Sequence, residues 1–269
     1  MLLAAAFTIV FLAAIVRGYS GFGFSLLAIT ALSLLYSPAV IIPSVFLLEI
    51  AASIHLLPGL WRDIHWRSLV PLVIGTGIGT PIGLTFLTSV PAAPMQIALG
   101  LFVFAVTCLL WIGFALKTMP GNIVSSAAGL AAGVANGAFG IGGPPVILFY
   151  FASPAGNIVG RATLVAYFLL TDAIGLAFLT RENLVTTDIL LRTLTFLPAL
   201  LAGVWLGARS FKNADPVVFR KWVLALLGLL AVITAAKGIF GLAQLTPTFR
   251  HSGESRIPCD VSGSLAVAE

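Results

Sequence analysis

Four ionisable residues stand inside or beside apolar stretches of this chain: Arg17, Glu49, Arg161 and Asp172. Charged groups in such surroundings are expensive, and they usually line a pathway or pair with another polar group. Glu49 and Asp172 each fall about two turns before the end of an apolar segment, and with a short gap the two align. They are candidates for proton coupling or for partnering the two arginines. A structural ion pair, or a polar contact between helices, is the competing reading. An arginine can hold an anion with two parallel N–H bonds. Arg17 and Arg161 are therefore candidate substrate ligands, or else interfacial anchors whose stems snorkel to water. His55, one or two turns from Glu49, reads as an interfacial residue.

Two glycine runs lie close to these charges. Residues 17–26 read Arg-Gly-Tyr-Ser-Gly-Phe-Gly-Phe-Ser-Leu, and residues 136–145 read Asn-Gly-Ala-Phe-Gly-Ile-Gly-Gly-Pro-Pro. Gly18, Gly21 and Gly23 fall in step with Gly137, Gly140 and Gly142, 119 residues on. A glycine break inside apolar sequence, at corresponding places of two halves, points to the binding site of a transporter. Glycine lets a backbone amide meet a ligand directly. The helix that follows offers unpaired N–H groups and the positive end of its dipole. Pro144 suits a first helical turn, where its missing N–H costs nothing. Two such N-termini, meeting from opposite sides, would form an anion site. Its candidate residues are Gly21, Phe22, Gly23, Ser25, Gly140, Gly142, Gly143 and Pro144, with Asn136 as a side-chain donor. Kinks and close-packing points are the alternative reading of the glycines.

The elements that must hold these residues are membrane helices. The chain is 59% hydrophobic and 9% charged, against roughly 25% charged in soluble domains. At about 20 residues per span, 269 residues hold roughly eight to ten helices. The apolar segments are Leu2–Val16 and Leu26–Tyr36 around the first glycine run, then Pro38–Leu57, Ser68–Leu87 and Ala93–Ala115. The pattern returns as Ile123–Ala135 and Val146–Phe151 around the second run, then Ile158–Leu179, Ile189–Ala208 and Val217–Phe240. Met1–Val16 lacks a basic n-region and reads as a retained span rather than a leader.

This predicts an all-α polytopic membrane protein of two repeats, 1–118 and 119–240, followed by a polar tail, 241–269, expected to be disordered. Each repeat holds a glycine-broken hairpin of half-helices plus three full spans. A stretch of 15 helical residues reaches only about 22 Å, short of a hydrocarbon core of about 30 Å. Irregular backbone at that depth needs protein or a water-filled cavity around it. Gly75, Gly79 and Gly83, Gly129, Gly133 and Gly137, and Gly203 and Gly207 repeat at the spacing of close helix packing.

Basic residues give the orientation. Arg62 and Arg67 mark one loop of the first half, whereas Arg209 and Lys212 mark a non-corresponding loop of the second. Swapped basic loops are what inverted repeats produce. The loops near Arg62, Lys117 and Arg209 are then cytoplasmic. The net charge of +5 is scattered, with no basic patch for nucleic acid. Three histidines (His55, His65, His251) and two cysteines (Cys108, Cys259) give no metal spacing. No nucleophile or metalloprotease motif occurs. The reading is therefore a non-enzyme with no cofactor and no metal, whose partners are a small anion and the lipid bilayer.

The paired runs Gly21-Phe-Gly-Phe-Ser and Gly140-Ile-Gly-Gly-Pro-Pro, each in a four-segment repeat, resemble the sulfite exporter TauE/SafE family over roughly residues 5–240. The second run matches the family's Gly-x-Gly-Gly-Gly-Pro pattern except that Pro144 replaces the third glycine. The first carries Phe24 and Ser25 where the pattern has glycine and proline. The resemblance implies a multi-pass inner-membrane permease that moves small sulfur-containing anions such as sulfite or organosulfonates. The expected mechanism is alternating access with the anion between the two runs. Export of an anion from a cell negative inside is electrically downhill by about 2.3 kcal/mol per 100 mV. Only an importer would need a coupling ion, and Glu49 and Asp172 leave that route open. A proton-coupled carrier of another organic anion, or a non-transporting membrane subunit, is the alternative.

Overall fold

The computed structural model describes residues 2–112, 121–152, 156–210, 225 and 228–240. The predicted tail, Cys259, His251, Lys117 and Lys212 lie outside the described residues, as do the end of the segment Ala93–Ala115 and most of the beginning of Val217–Phe240. Among the described residues the chain is helical, with no strand. Its helices are α1 (Leu2–Ser20), α2 (Phe24–Leu32), α3 (Pro38–Leu56), α4 (Trp66–Ser89), α5 (Ala92–Ile112), α6 (Asn122–Phe139), α7 (Gly143–Ala152), α8 (Gly156–Arg181) and α9 (Thr187–Ser210). A tenth, α10, covers Gly228–Phe240. Among the described residues, six helices are long and apolar enough to cross a bilayer: α1, α3, α4, α5, α8 and α9.

Helix α4 shows how sequence sets the packing. Val70, Ile74, Ile78, Ile82 and Phe86 recur every fourth residue and stay exposed. Four-residue spacing keeps them on one helical face. In water such a stripe would be an aggregation surface; in a bilayer it faces lipid. Gly75, Gly79 and Gly83 line the opposite, buried face. A Cβ on any of them would run into the backbone carbonyls of Ser126, Leu130 and Val134 on α6. Gly129, Gly133 and Gly137 of α6 meet the carbonyls of Leu72, Thr76 and Thr80 in return. The glycines therefore serve packing here, as their spacing predicts. Gly203 and Gly207 of α9 do the same against Phe11 and Ile15 of α1.

The pairings are reciprocal. α1 lies along α9, and α4 along α6. α3 and α8 pack on each other, α3 also touches α9, and α8 touches α4. The short helices α2 and α7 sit against α3 and α8 respectively.

The half-helix expectation needs correction. α1 and α6 have 19 and 18 residues, about 28 and 27 Å at 1.5 Å per residue. Only α2 and α7, with 9 and 10 residues, are half-length. The helices run on through Arg17–Ser20 and Asn136–Phe139 because Gly18 and Gly137 do not break them. A glycine inside a helix costs about 1 kcal/mol. Here each glycine permits a backbone contact, Gly18 with Val204 and Gly137 with Thr80. The breaks shrink to residues 21–23 and 140–142.

Candidate functional site

Both breaks are made in the same way. Gly21 closes α1 in the left-handed conformation (φ 80°), and its N–H donates to the Arg17 carbonyl at 2.8 Å. Gly140 closes α6 likewise (φ 68°), its N–H donating to the Asn136 carbonyl at 2.8 Å. An L-residue in that conformation costs roughly 1–2 kcal/mol. Arg17 and Asn136 thus hold equivalent places, three residues inside the end of each long helix. Gly142 has no such backbone demand. It is glycine for space, since a Cβ would lie 2.9 Å from Asn136 Cβ and 3.0 Å from the Ala132 carbonyl. A Cβ at Gly143 would lie 3.0 Å from the tip of the Phe168 ring. Gly23 caps α2, and Pro144 is buried in the first turn of α7. Phe22 is half-buried and packs against the cluster around Tyr150 and Tyr167.

Arg17 and Glu49 form an ion pair at 3.1 Å, and both side chains are 0% exposed. Arg17 also donates to Ser53 Oγ and to the Gly21 carbonyl, each at 2.7 Å. Its guanidinium carbon sits 4.7 Å over the Phe168 ring. An anchor snorkelling to the interface would have its head in water, so that reading of Arg17 is overturned. Breaking such a buried pair from one side is strongly destabilising. Arg161 is half-buried. It reaches from α8 across to the first break, donating to the Gly18 carbonyl at 2.8 Å and laying its stem on Gly21.

The two acids differ in their company. Glu49 Oε1 accepts from the Ser25 N–H and from Ser25 Oγ, both at 3.0 Å. Asp172 is 3% exposed and its Oδ2 has no hydrogen-bond partner. It lies within electrostatic reach of both Glu49 and Arg17. Asn136 is 2% exposed, and its Nδ2 is likewise without a partner.

Two helix N-termini with open N–H groups are not what the fold presents. The N-terminus of α2 already holds the Glu49 carboxylate. In α7, Pro144 and Pro145 remove two N–H groups from the first turn. Open donors come instead from side chains: Asn136 Nδ2 and Arg17 Nε.

Sequence reasoning passed over Ser53 and Phe168. Ser53 follows Glu49 by four residues, so it shares that helical face, a signal that was there to use. Nothing in the sequence connects Phe168 to Arg17. A second polar cluster was also missed. Tyr150 bonds Ser68 at 2.8 Å, Ser68 bonds His65 Nδ1 at 2.8 Å, and Tyr167 bonds Thr76 at 2.8 Å.

Several bilayer-length apolar helices, with buried charges gathered beside the first of two breaks in the backbone, define a multi-pass membrane protein. A family model matches residues 6–234, and the chain belongs to the sulfite exporter TauE/SafE family. Members of that family are membrane exporters and not enzymes. The chain is similar to a probable sulfite/organosulfonate exporter TauE of Cupriavidus necator, 25% identical over 215 residues, which covers 77% of this chain and 82% of that protein. No solved structure matches.

Proposed function

We propose that this protein exports small sulfur-containing anions, sulfite or organosulfonates, across the inner membrane by alternating access. One observation carries the reading. At equivalent places beside the two breaks, Arg17 and Asn136 are buried and each keeps a nitrogen without a hydrogen-bond partner. Buried donors without partners cost about 1–3 kcal/mol each, and an anion that accepts from them recovers that cost. The likeness to the Cupriavidus necator sulfite/organosulfonate exporter supports sulfite or an organosulfonate as cargo.

The substrate lies between the residues of the two breaks, Gly21–Ser25 and Gly140–Pro144, with Arg17, Arg161 and Asn136 supplying charge and donors. The repeats are 1–118 and 119–240, inverted relative to one another. The exchange of partners between halves, α1 with α9 and α4 with α6, supports this division. The loops near Arg62, Lys117 and Arg209 face the cytoplasm. Glu49 and Asp172 are the proton-coupling candidates. The unpartnered Oδ2 of Asp172 favours a second reading, a proton-coupled carrier of another small organic anion.

Thermal stabilisation of the purified protein by a panel of anions tests the proposal: sulfite, sulfate, thiosulfate, sulfoacetate, taurine, phosphate and acetate. A ligand at 100 times its dissociation constant stabilises by about 2.7 kcal/mol. Stabilisation by sulfite or sulfonates alone supports it. Stabilisation by none of the panel overturns it.

A further inference from the structure

The N-terminus of α2 is a finished anion seat with an anion in it. Ser25 supplies an N–H and a hydroxyl, both 3.0 Å from Glu49 Oε1. Arg17 supplies a guanidinium nitrogen 3.1 Å from Glu49 Oε2. The dipole of a nine-residue helix points its positive end at the same carboxylate. A second observation says that the seat is built for more than two oxygens. Arg17 Nε is buried with no partner, although Arg17 is 0% exposed. A carboxylate has two acceptor oxygens, whereas a sulfonate or sulfite has three.

We infer that Glu49 is an internal competitor for the transported anion: its carboxylate holds the seat when the site is empty and leaves it when a three-oxygen anion binds. The inference rests on the anion-carrier reading above. A sulfonate in the seat would keep Arg17 and Ser25 paired and would give the Nε–H an acceptor. The displaced carboxylate cannot stay nearby as an anion, because a second buried negative charge beside the ligand would have no partner. It therefore takes up a proton as it leaves, and gives that proton back when it returns. The charged groups facing Glu49 are Arg17 from α1 and Asp172 from α8, with Arg161 beyond Arg17. α2 presents Ser25 and no charge.

This makes anion affinity rise as pH falls, by up to tenfold per unit where one proton is taken up per anion. The protein's own design also predicts an unusual mutant. Removing the competitor's charge tightens binding, whereas removing an ordinary structural group weakens it.

The test is titration of full-length protein in detergent with methanesulfonate, whose charge is constant between pH 5 and 8, with proton uptake followed by an indicator dye in weak buffer. For the wild type the expected result is proton uptake on binding and tighter binding at pH 5 than at pH 8. For Glu49→Gln the expected result is at least tenfold tighter binding at pH 8, little dependence on pH and no uptake. Glu49→Asp keeps the charge beside Arg17 but shortens the reach to Ser25. It provides the same comparison if the glutamine variant does not fold, and it is also expected to bind more tightly than wild type at pH 8. Variants that bind with wild-type or weaker affinity, or a wild type that binds without proton uptake, overturn the inference and leave the anion-carrier reading standing. Absence of methanesulfonate binding in wild type and variants alike overturns both.

Discussion

Replacing Asn136 by alanine separates a ligand-binding role from a structural one, because the two give opposite signs. In the empty protein Asn136 is 2% exposed and its Nδ2 has no acceptor. A buried donor without a partner costs about 1–3 kcal/mol, and truncation removes that cost. Against this stands the packing lost where Asn136 Cγ and its amide fill the space beside Gly142, the Cβ being kept. The two effects offset, so stability is expected to change by less than about 1 kcal/mol, a shift of roughly 2–4 °C in Tm for a chain of this size. Anion binding moves much further. A hydrogen bond to a charged group is worth about 1.5–3 kcal/mol, so the Kd should rise roughly 10- to 150-fold. Thermal unfolding without ligand, and titration with methanesulfonate or sulfite, measure the two quantities on one preparation. A variant destabilised by more than about 3 kcal/mol with unchanged anion affinity would refute the reasoning and make Asn136 a structural residue.

Three further outcomes are expected. Gly79→Val should abolish folded protein, because the new Cβ meets the Leu130 carbonyl, while Gly77→Val should be tolerated since nothing lies within 4 Å of that position; the monodisperse yield in detergent compares them. Arg17→Leu leaves the Glu49 charge buried and unpaired and should cost about 3–5 kcal/mol. The double variant with Glu49→Leu should recover most of that loss, and unfolding midpoints of the three proteins check it. If Asp172 carries a coupling proton, Asp172→Asn should make flux in vesicles indifferent to an imposed pH gradient; an unchanged response removes Asp172 from that role.

Much of the fold could be read from the chain because its pattern is local. The four-residue glycine spacing on α4 and α6 declares a close helix contact before any partner is known, and the partner proved to be the other glycine helix. The helix lengths were misread for an equally physical reason. Gly18 and Gly137 look like breaks in one dimension, yet they are helix positions whose missing side chains admit Val204 and Thr80. At the candidate site, the sequence singles out Arg17, Glu49, Arg161 and Asp172 by their cost in apolar surroundings, and Asn136 as a donor in the second glycine run. It does not say which of them pair. That Glu49 would reach Ser25 rather than leave α2 open depends on how α3 lies against α2, a relation that no spacing encodes. The Phe168 ring under Arg17 is tertiary in the same sense.

Flux across a bilayer is the property that defines an exporter. Purified protein reconstituted into vesicles loaded with sulfite or sulfoacetate should release the anion in a saturable manner, above protein-free vesicles, and unlabelled methanesulfonate should compete. Release no faster than from protein-free vesicles, for every sulfur-containing anion tried, would contradict the proposed export.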